Sequence, residues 1–214
     1  MIYYDIHTHK QRNLPDEKAI VAVDIRKSEK LPEGYYSAGI HPWGAATADL
    51  QILQQWAVRP EVVAIGETGL DKMAIVPMSI QKEVFTAHVA LAGEVNKPLI
   101  IHCVRAWEEL LSIRKAVSSH IPWIIHGFRG NGELARQLLR HGFYLSFGIH
   151  FHPEAVHAAW EAQHLFAETD MQPSSVRNVY AGLATELSVT PEVLSQEMET
   201  HFRNWKHPLA YHHG

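Results

Sequence analysis

Eight short apolar runs, rich in β-branched and aromatic residues and mostly closed by a polar or glycine-containing turn, recur along the chain, and their number constrains the fold more than any other feature. They are Ile2 to His7, Ala19 to Ile25, Tyr35 to Ile40, Val62 to Gly66, Pro98 to Cys103, Trp123 to Gly127, Phe143 to Gly148 and His164 to Asp170. Eight parallel strands are what a closed barrel requires, and 214 residues lie within the usual span of such a barrel.

Helical patterns, with apolar residues three and four apart, separate the later runs. Thr47 to Val58 opens on Thr47 as a cap, Ser79 to Val95 is stopped by Lys97-Pro98, and Trp107 to Val117 and Glu133 to His141 follow, the last ended by Gly142. Ser174 to Glu186 and Pro191 to Lys206 form a C-terminal pair. Only Lys10 to Lys18 and Arg26 to Gly34 separate the first three strands, too little for a parallel crossover with a normal helix. The expected architecture is therefore a TIM-type (β/α)8 barrel with reduced helices after strands 1 and 2. Its thin flank is expected to be covered by the C-terminal helices or by a second subunit of a homo-oligomer.

With 46% apolar and 20% charged residues the chain can bury one sizeable core, read as a single barrel domain over residues 1–214. A net charge of −4 offers no global attraction to a phosphate backbone, so any nucleic-acid contact has to be local. Cys103 is the sole cysteine, which excludes an internal disulfide framework and a thiolate-only zinc site and suits a reducing compartment. No run approaches the roughly 20 apolar residues of a membrane span. The chain is read as cytoplasmic and complete from Met1.

Sixteen histidines make position the deciding question. Asp5, His7 and His9 alternate on the first strand and point to one face. Two imidazoles from one strand end suit a zinc-like ion, although a polar strand terminus without metal explains the pair equally well. Glu67 follows the fourth run and precedes a turn. His102 and His126 close two consecutive apolar strands, and Asp170 stands at the end of the eighth. Active sites of these barrels lie at the C-terminal rim, where residues from different strands converge. His7, His9, Glu67, His102, His126 and Asp170 together make a layout able to hold two divalent ions, zinc, magnesium or manganese, around an activated water.

These residues sit in Asp5-Ile6-His7-Thr8-His9, Gly39-Ile40-His41-Pro42, Gly66-Glu67-Thr68-Gly69-Leu70-Asp71, Gln81-Lys82-Glu83-Val84-Phe85, Ile101-His102, His126-Gly127-Phe128 and Glu168-Thr169-Asp170. Through those motifs, nearly end to end, the chain resembles the TatD-type deoxyribonucleases, a branch of the amidohydrolase-like metal-dependent hydrolases. The resemblance implies a metal-bearing barrel that cleaves phosphodiesters at DNA ends or in short oligonucleotides. It implies that His7, His9, Glu67 and Asp170 hold one ion and Glu67, His102 and His126 the other, with Asp170 also orienting or deprotonating the attacking water. The chain departs from the family in its shorter start, in Arg105 displaced by one position after His102-Cys103-Val104, and in Met171-Gln172-Pro173 after the aspartate. Trp43 replaces a second histidine, Lys72 an aromatic residue and Arg129 a small polar one.

His41, Arg105 and Arg129, with Lys72, are the expected phosphate contacts in the rim loops. Trp43, Trp107 and Phe128 are candidates to stack on an unpaired base. Asp5 is expected to orient a ligand histidine. Cys103 is read as a small apolar filler, and Tyr211-His212-His213 as an adventitious metal tail. Two other readings stand beside the nuclease: amidohydrolase-type cleavage of a small amide or ester, and a non-catalytic metal-binding scaffold.

Overall fold

The computed structural model describes residues 1–10, 14–27 and 31–206; the Tyr211-His212-His213 tail lies outside the described residues. The strands are β1 (Tyr3–Thr8), β2 (Glu17–Asp24), β3 (Tyr35–Gly39), β4 (Val62–Asp71), β5 (Leu99–Val104), β6 (Trp123–Ile125), β7 (Phe143–Phe147) and β8 (Leu165–Ala167). They form one parallel sheet in sequential order. A parallel bridge between Thr8 and Asp170 brings the two ends together, with Asp170 N–H donating to His7 O at 2.9 Å and His9 N–H to Asp170 O at 3.3 Å. The barrel is thus nearly closed, and its closure passes through three of the expected site residues. Leu99–Ile101 and Trp123–Ile125 are fully buried, as parallel strands covered on both faces must be.

The helices are α1 (Leu50–Ala57), α2 (Met78–Glu94), α3 (Trp107–Ala116), α4 (Gly132–Arg140), α5 (Pro153–Glu161), α6 (Val176–Leu187) and α7 (Pro191–Lys206), and a short 3₁₀ helix spans Pro42–Thr47. Among the described residues none lies between β1 and β2 or between β2 and β3. The C-terminal helices cover the lower part of that flank. Phe202 of α7 packs on Tyr4 and Tyr35, at centroid distances of 4.9 and 5.6 Å, and Ser195 Oγ donates to Ile2 O at 2.6 Å. Tyr180 of α6 accepts from Tyr4 N at 2.9 Å.

Three local expectations change. Thr47 ends the 3₁₀ helix, and α1 is capped instead by Asp49, whose Oδ1 accepts from Gln51 N and Ile52 N at 3.0 Å each. The sequence reading missed α5, which occupies the β7–β8 crossover. Glu67 does not precede a turn: β4 runs on through it to Asp71. Gly66 and Gly69 read as turn formers, yet they sit in the strand at φ +147° and +149°, where a Cβ would collide with the backbone of Ile100 and His102. Their lack of a side chain lets β4 lie close against β5.

Candidate metal centre

Each ligand candidate except Glu67, which lies within β4, stands near the C-terminal end of a strand or just beyond it, and the near-closed barrel turns them toward one point. Three overlapping sets of donor atoms lie within 4.8 Å of one another: His7, Glu67 and His126; His7, His9 and Asp170; His41, Glu67 and His102. All six expected ligands are brought together, and His41 stands among them.

Glu67 is the hub. Its Oε2 lies 3.4 Å from His7 Nε2 and 3.4 Å from His9 Nε2, while its Oε1 lies 2.9 Å from His102 Nδ1, 2.8 Å from His126 Nε2 and 3.3 Å from His41 Nε2. Burial alone would raise the Glu67 carboxyl, but the surrounding imidazoles of His102, His126, His41 and His7 outweigh it and hold the group ionised far below the usual carboxylate range. Asp170 Oδ1 completes the other side, 3.8 Å from His7 Nε2 and 3.6 Å from His9 Nε2. A carboxylate with one oxygen turned to each of two imidazole sets is the arrangement that bridges a pair of cations.

His7 tests whether an ion fits. Its ring is fully buried and neither nitrogen has a hydrogen-bond partner, a state that costs on the order of 1–3 kcal/mol per polar group. Burial and the neighbouring His126 lower its pKa, so the ring is neutral with a lone pair to offer. Tetrahedral ligands bound at about 2.0–2.1 Å sit about 3.4 Å apart, which matches the spacing of His7, His9 and Glu67 Oε2. The donor set therefore fits a divalent cation.

Two carboxylates that sequence reasoning quoted but gave no role back the histidines. Glu168 Oε1 lies 3.2 Å from His126 Nδ1, and Asp71 Oδ2 lies 3.1 Å from His102 Nε2. Both are buried. Burial would raise Glu168, but the His126 imidazole brings it below the ordinary range. For His126, burial opposes the charged ring, and Glu168 and Glu67 more than reverse it, raising the pKa well above the usual value. Asp71 is itself gripped. It accepts from Trp43 Nε1 at 2.6 Å and Met73 N at 2.7 Å, while Gln81 of α2 accepts from its N–H and donates to its carbonyl, at 2.7 and 3.0 Å. Such partners fix which ring nitrogen faces an ion.

His41 differs. Its Nδ1 accepts from Trp43 N–H at 3.2 Å, which leaves the ring proton on Nε2, the atom facing Glu67. In that tautomer His41 is a donor toward the site. Asp5 is buried and accepts from Thr169 N and Oγ1, at 3.0 and 2.6 Å, binding the end of β8 to β1. Burial pushes the Cys103 thiol up to about 12, in keeping with an inert filler.

Of the cations expected at the rim, Arg105 is exposed and its Nη1 reaches Met73 Sδ at 3.6 Å, Lys72 pairs with Glu109 at 2.9 Å, and Arg129 is exposed. A cavity of about 610 Å³ opens instead on the opposite side, between the ends of β2 and β3 and the start of α1, and it shares His9, His41 and Glu67 with the ligand cluster. It also takes in Arg26, Lys27 and Trp43. Phe128 is buried against Trp107 and Phe147, at 6.1 and 5.9 Å, so that ring is occupied by packing, whereas Trp43 is 64% exposed.

A family model described as TatD related DNase matches residues 11–205, beginning just after His9. YabD of Bacillus subtilis, named as an uncharacterized metal-dependent hydrolase, is 42% identical over 119 residues, which is 53% of this chain and 47% of that protein. The 3′-5′ ssDNA/RNA exonuclease TatD of Escherichia coli is 33% identical over 140 residues, 59% of this chain and 53% of the relative. This chain spans about half the length of either. The crystal structure of YJJV, a TatD homolog of Escherichia coli, superposes with a TM-score of 0.78 over 95% of this chain and 96% of the other at 21% identity, a likeness of fold.

Proposed function

This chain belongs to the TatD related DNase family, and from that premise we propose that it is a divalent-metal-dependent phosphodiesterase that removes nucleotides from DNA ends. One observation carries the reading: Glu67, its side chain 10% exposed, turns one oxygen to His7 and His9 and the other to His102 and His126. The similarity to a relative named as an exonuclease supports the choice of substrate.

In this reading His7, His9, Asp170 and Glu67 hold one ion and Glu67, His102 and His126 the second, zinc, magnesium or manganese. Bound divalent ions supply Lewis acidity toward a phosphoryl oxygen and bring the pKa of water to about 7. The chain's own groups do the rest. Asp170, 37% exposed beside His9, takes the proton of the attacking water at Oδ1. His41 donates from Nε2 to a phosphate oxygen on the open side. Glu168 and Asp71 keep the His126 and His102 rings aimed as the site fills.

Release of mononucleotides from end-labelled single-stranded DNA tests this directly. Cleavage is expected with added manganese, magnesium or zinc, is abolished by chelator, and falls more than about 100-fold in Glu67→Gln, beyond the usual loss for partners outside the ligand set. Absence of nucleotide release with all three ions overturns the reading.

A further inference from the structure

The cavity beside the ligand cluster carries information about the substrate that the ligands do not. We propose that it seats a single terminal nucleoside, with the indole of Trp43 as the platform on which the base stacks; this rests on the phosphodiesterase reading above.

Size and charge both point to one nucleoside rather than a length of strand. At about 610 Å³ the cavity has the volume of a site for one small molecule. A groove that tracks several phosphates needs an excess of cations along it. Here two cations, Arg26 and Lys27, face three carboxylates, Asp24, Asp49 and Glu67. Arg26 is locked onto Asp24 through Nε and Nη2, at 2.9 and 3.1 Å, and Lys27 stands in the same lining as Asp49. Much of the remaining wall is apolar, Val23, Ile25, Ile40 and Ile52 among it. Such a wall receives a neutral ring and sugar, and the one phosphate that accompanies them falls at His9, His41 and Glu67, where the cavity meets the ligand cluster.

Trp43 supplies the ring contact. An indole 64% exposed at the mouth of a cavity, in edge contact with the His41 ring at 6.3 Å, still presents a large apolar face. It is not loose, because Nε1–H donates to Asp71 Oδ2 at 2.6 Å, and that same oxygen lies 3.1 Å from His102 Nε2. The plane on which a base would lie is therefore fixed relative to a ligand histidine. Fixing a stacking surface in advance reduces the ordering cost of binding.

The test uses short single-stranded DNA carrying 2-aminopurine, whose emission is quenched on stacking, at one terminus or the other. Mixed with the chelator-treated protein and with the metal-replete protein alike, one terminal label is expected to be quenched on binding. In Trp43→Leu binding weakens roughly tenfold and the quench is lost, while Trp43→Phe, which keeps a ring, retains most of it. Affinity should fall with salt by about one phosphate's worth, a log–log slope near −0.7. Quenching that survives Trp43→Leu overturns the platform, and a slope of roughly −2 or steeper overturns the single-nucleoside site. If neither label is quenched although the wild type shortens the DNA, the nucleoside site fails and the nuclease reading stands. If the DNA is neither quenched nor shortened, both fail.

Discussion

On the β5–β6 side of the centre each histidine is backed by a buried carboxylate, Asp71 behind His102 and Glu168 behind His126, and both rings lie within 2.9 Å of Glu67 Oε1. On the β1–β8 side His9 and Asp170 are 35% and 37% exposed, and the contacts among His7, His9, Asp170 and Glu67 Oε2 run from 3.4 to 3.8 Å. The difference follows the distribution of helices. Where α2 packs behind β4, Gln81 clamps both backbone groups of Asp71 and so fixes the carboxylate that fixes His102. Where the described residues of the first two crossovers hold no helix, the upper flank is occupied by the cavity. One half of the site is tied to its surroundings by close hydrogen bonds, and the other is more widely spaced and more exposed.

The largest effect expected from this asymmetry is on ion binding. Asp71 Oδ2 serves both Trp43 Nε1–H and the His102 ring while Oδ1 accepts from Met73 N–H, so in Asp71→Asn the amide nitrogen leaves either that pair or Met73 N–H without an acceptor, and the charge behind His102 is lost. Glu168→Gln removes the carboxylate charge behind His126. In a calorimetric titration each substitution should weaken one of two ion-binding steps about 10–100-fold, the range for partners that back a ligand, and leave the other step nearly unchanged. Equal weakening of both steps would break the comparison and make the centre a single unit.

The open flank has a backing group of its own, and it is neutral. His88 of α2 is fully buried; its Nε2 accepts from Ile40 N at 2.9 Å, next to His41, and its Nδ1–H donates to Val84 O at 2.7 Å. Burial lowers its pKa from 6.5 to about 4. A histidine whose folded pKa is depressed is protonated first in the unfolded state, so its stabilising effect is full above pH 6.5 and is lost as pH falls toward 4. The loss between pH 7 and pH 4 should be about 3 kcal/mol. Urea unfolding of the wild type and of His88→Gln at both pH values checks it. An unchanged pH slope in the variant means that His88 is not the group responsible.

How much of this was legible follows from what each signal depends on. The ligand candidates were legible because each follows a short β-branched run that declares a strand, and this holds even for Glu67, whose strand continues past it. Asp71 and Glu168 were visible as letters in their motifs, but which ring nitrogen each supports depends on side-chain orientation across neighbouring strands. The β4 extension was hidden because Gly66 and Gly69 signal turns in isolation, whereas here they permit close approach to β5. Helix α5 was hidden because Pro153–Glu161 carries four buried small or β-branched residues, Ala155, Val156, Ala158 and Ala159, without the long aliphatic stripe used to find the others. The cavity lies beside crossovers whose described residues hold no helix, and no residue pattern encodes a space.

The smallest effect tests the edge of the open flank, where the sequence chose Thr47 as the helix cap and the fold chose Asp49. Thr47 Oγ1 donates to Gly44 O at 3.3 Å and so serves the 3₁₀ helix, while Asp49 satisfies two of the orphan N–H groups of α1. An eight-residue helix is marginal without packing and caps, and only Leu53, Trp56 and Ala57 of α1 are buried. Asp49→Ala should therefore cost about 1 kcal/mol in urea unfolding, against a few tenths for Thr47→Ala. Because α1 borders the cavity and not the backed histidines, the ion step weakened by Asp71→Asn should be unaffected by Asp49→Ala. If Thr47→Ala costs as much as Asp49→Ala, the helix begins earlier than assigned, and the wall of the cavity formed by Ala48, Asp49 and Ile52 must be redrawn.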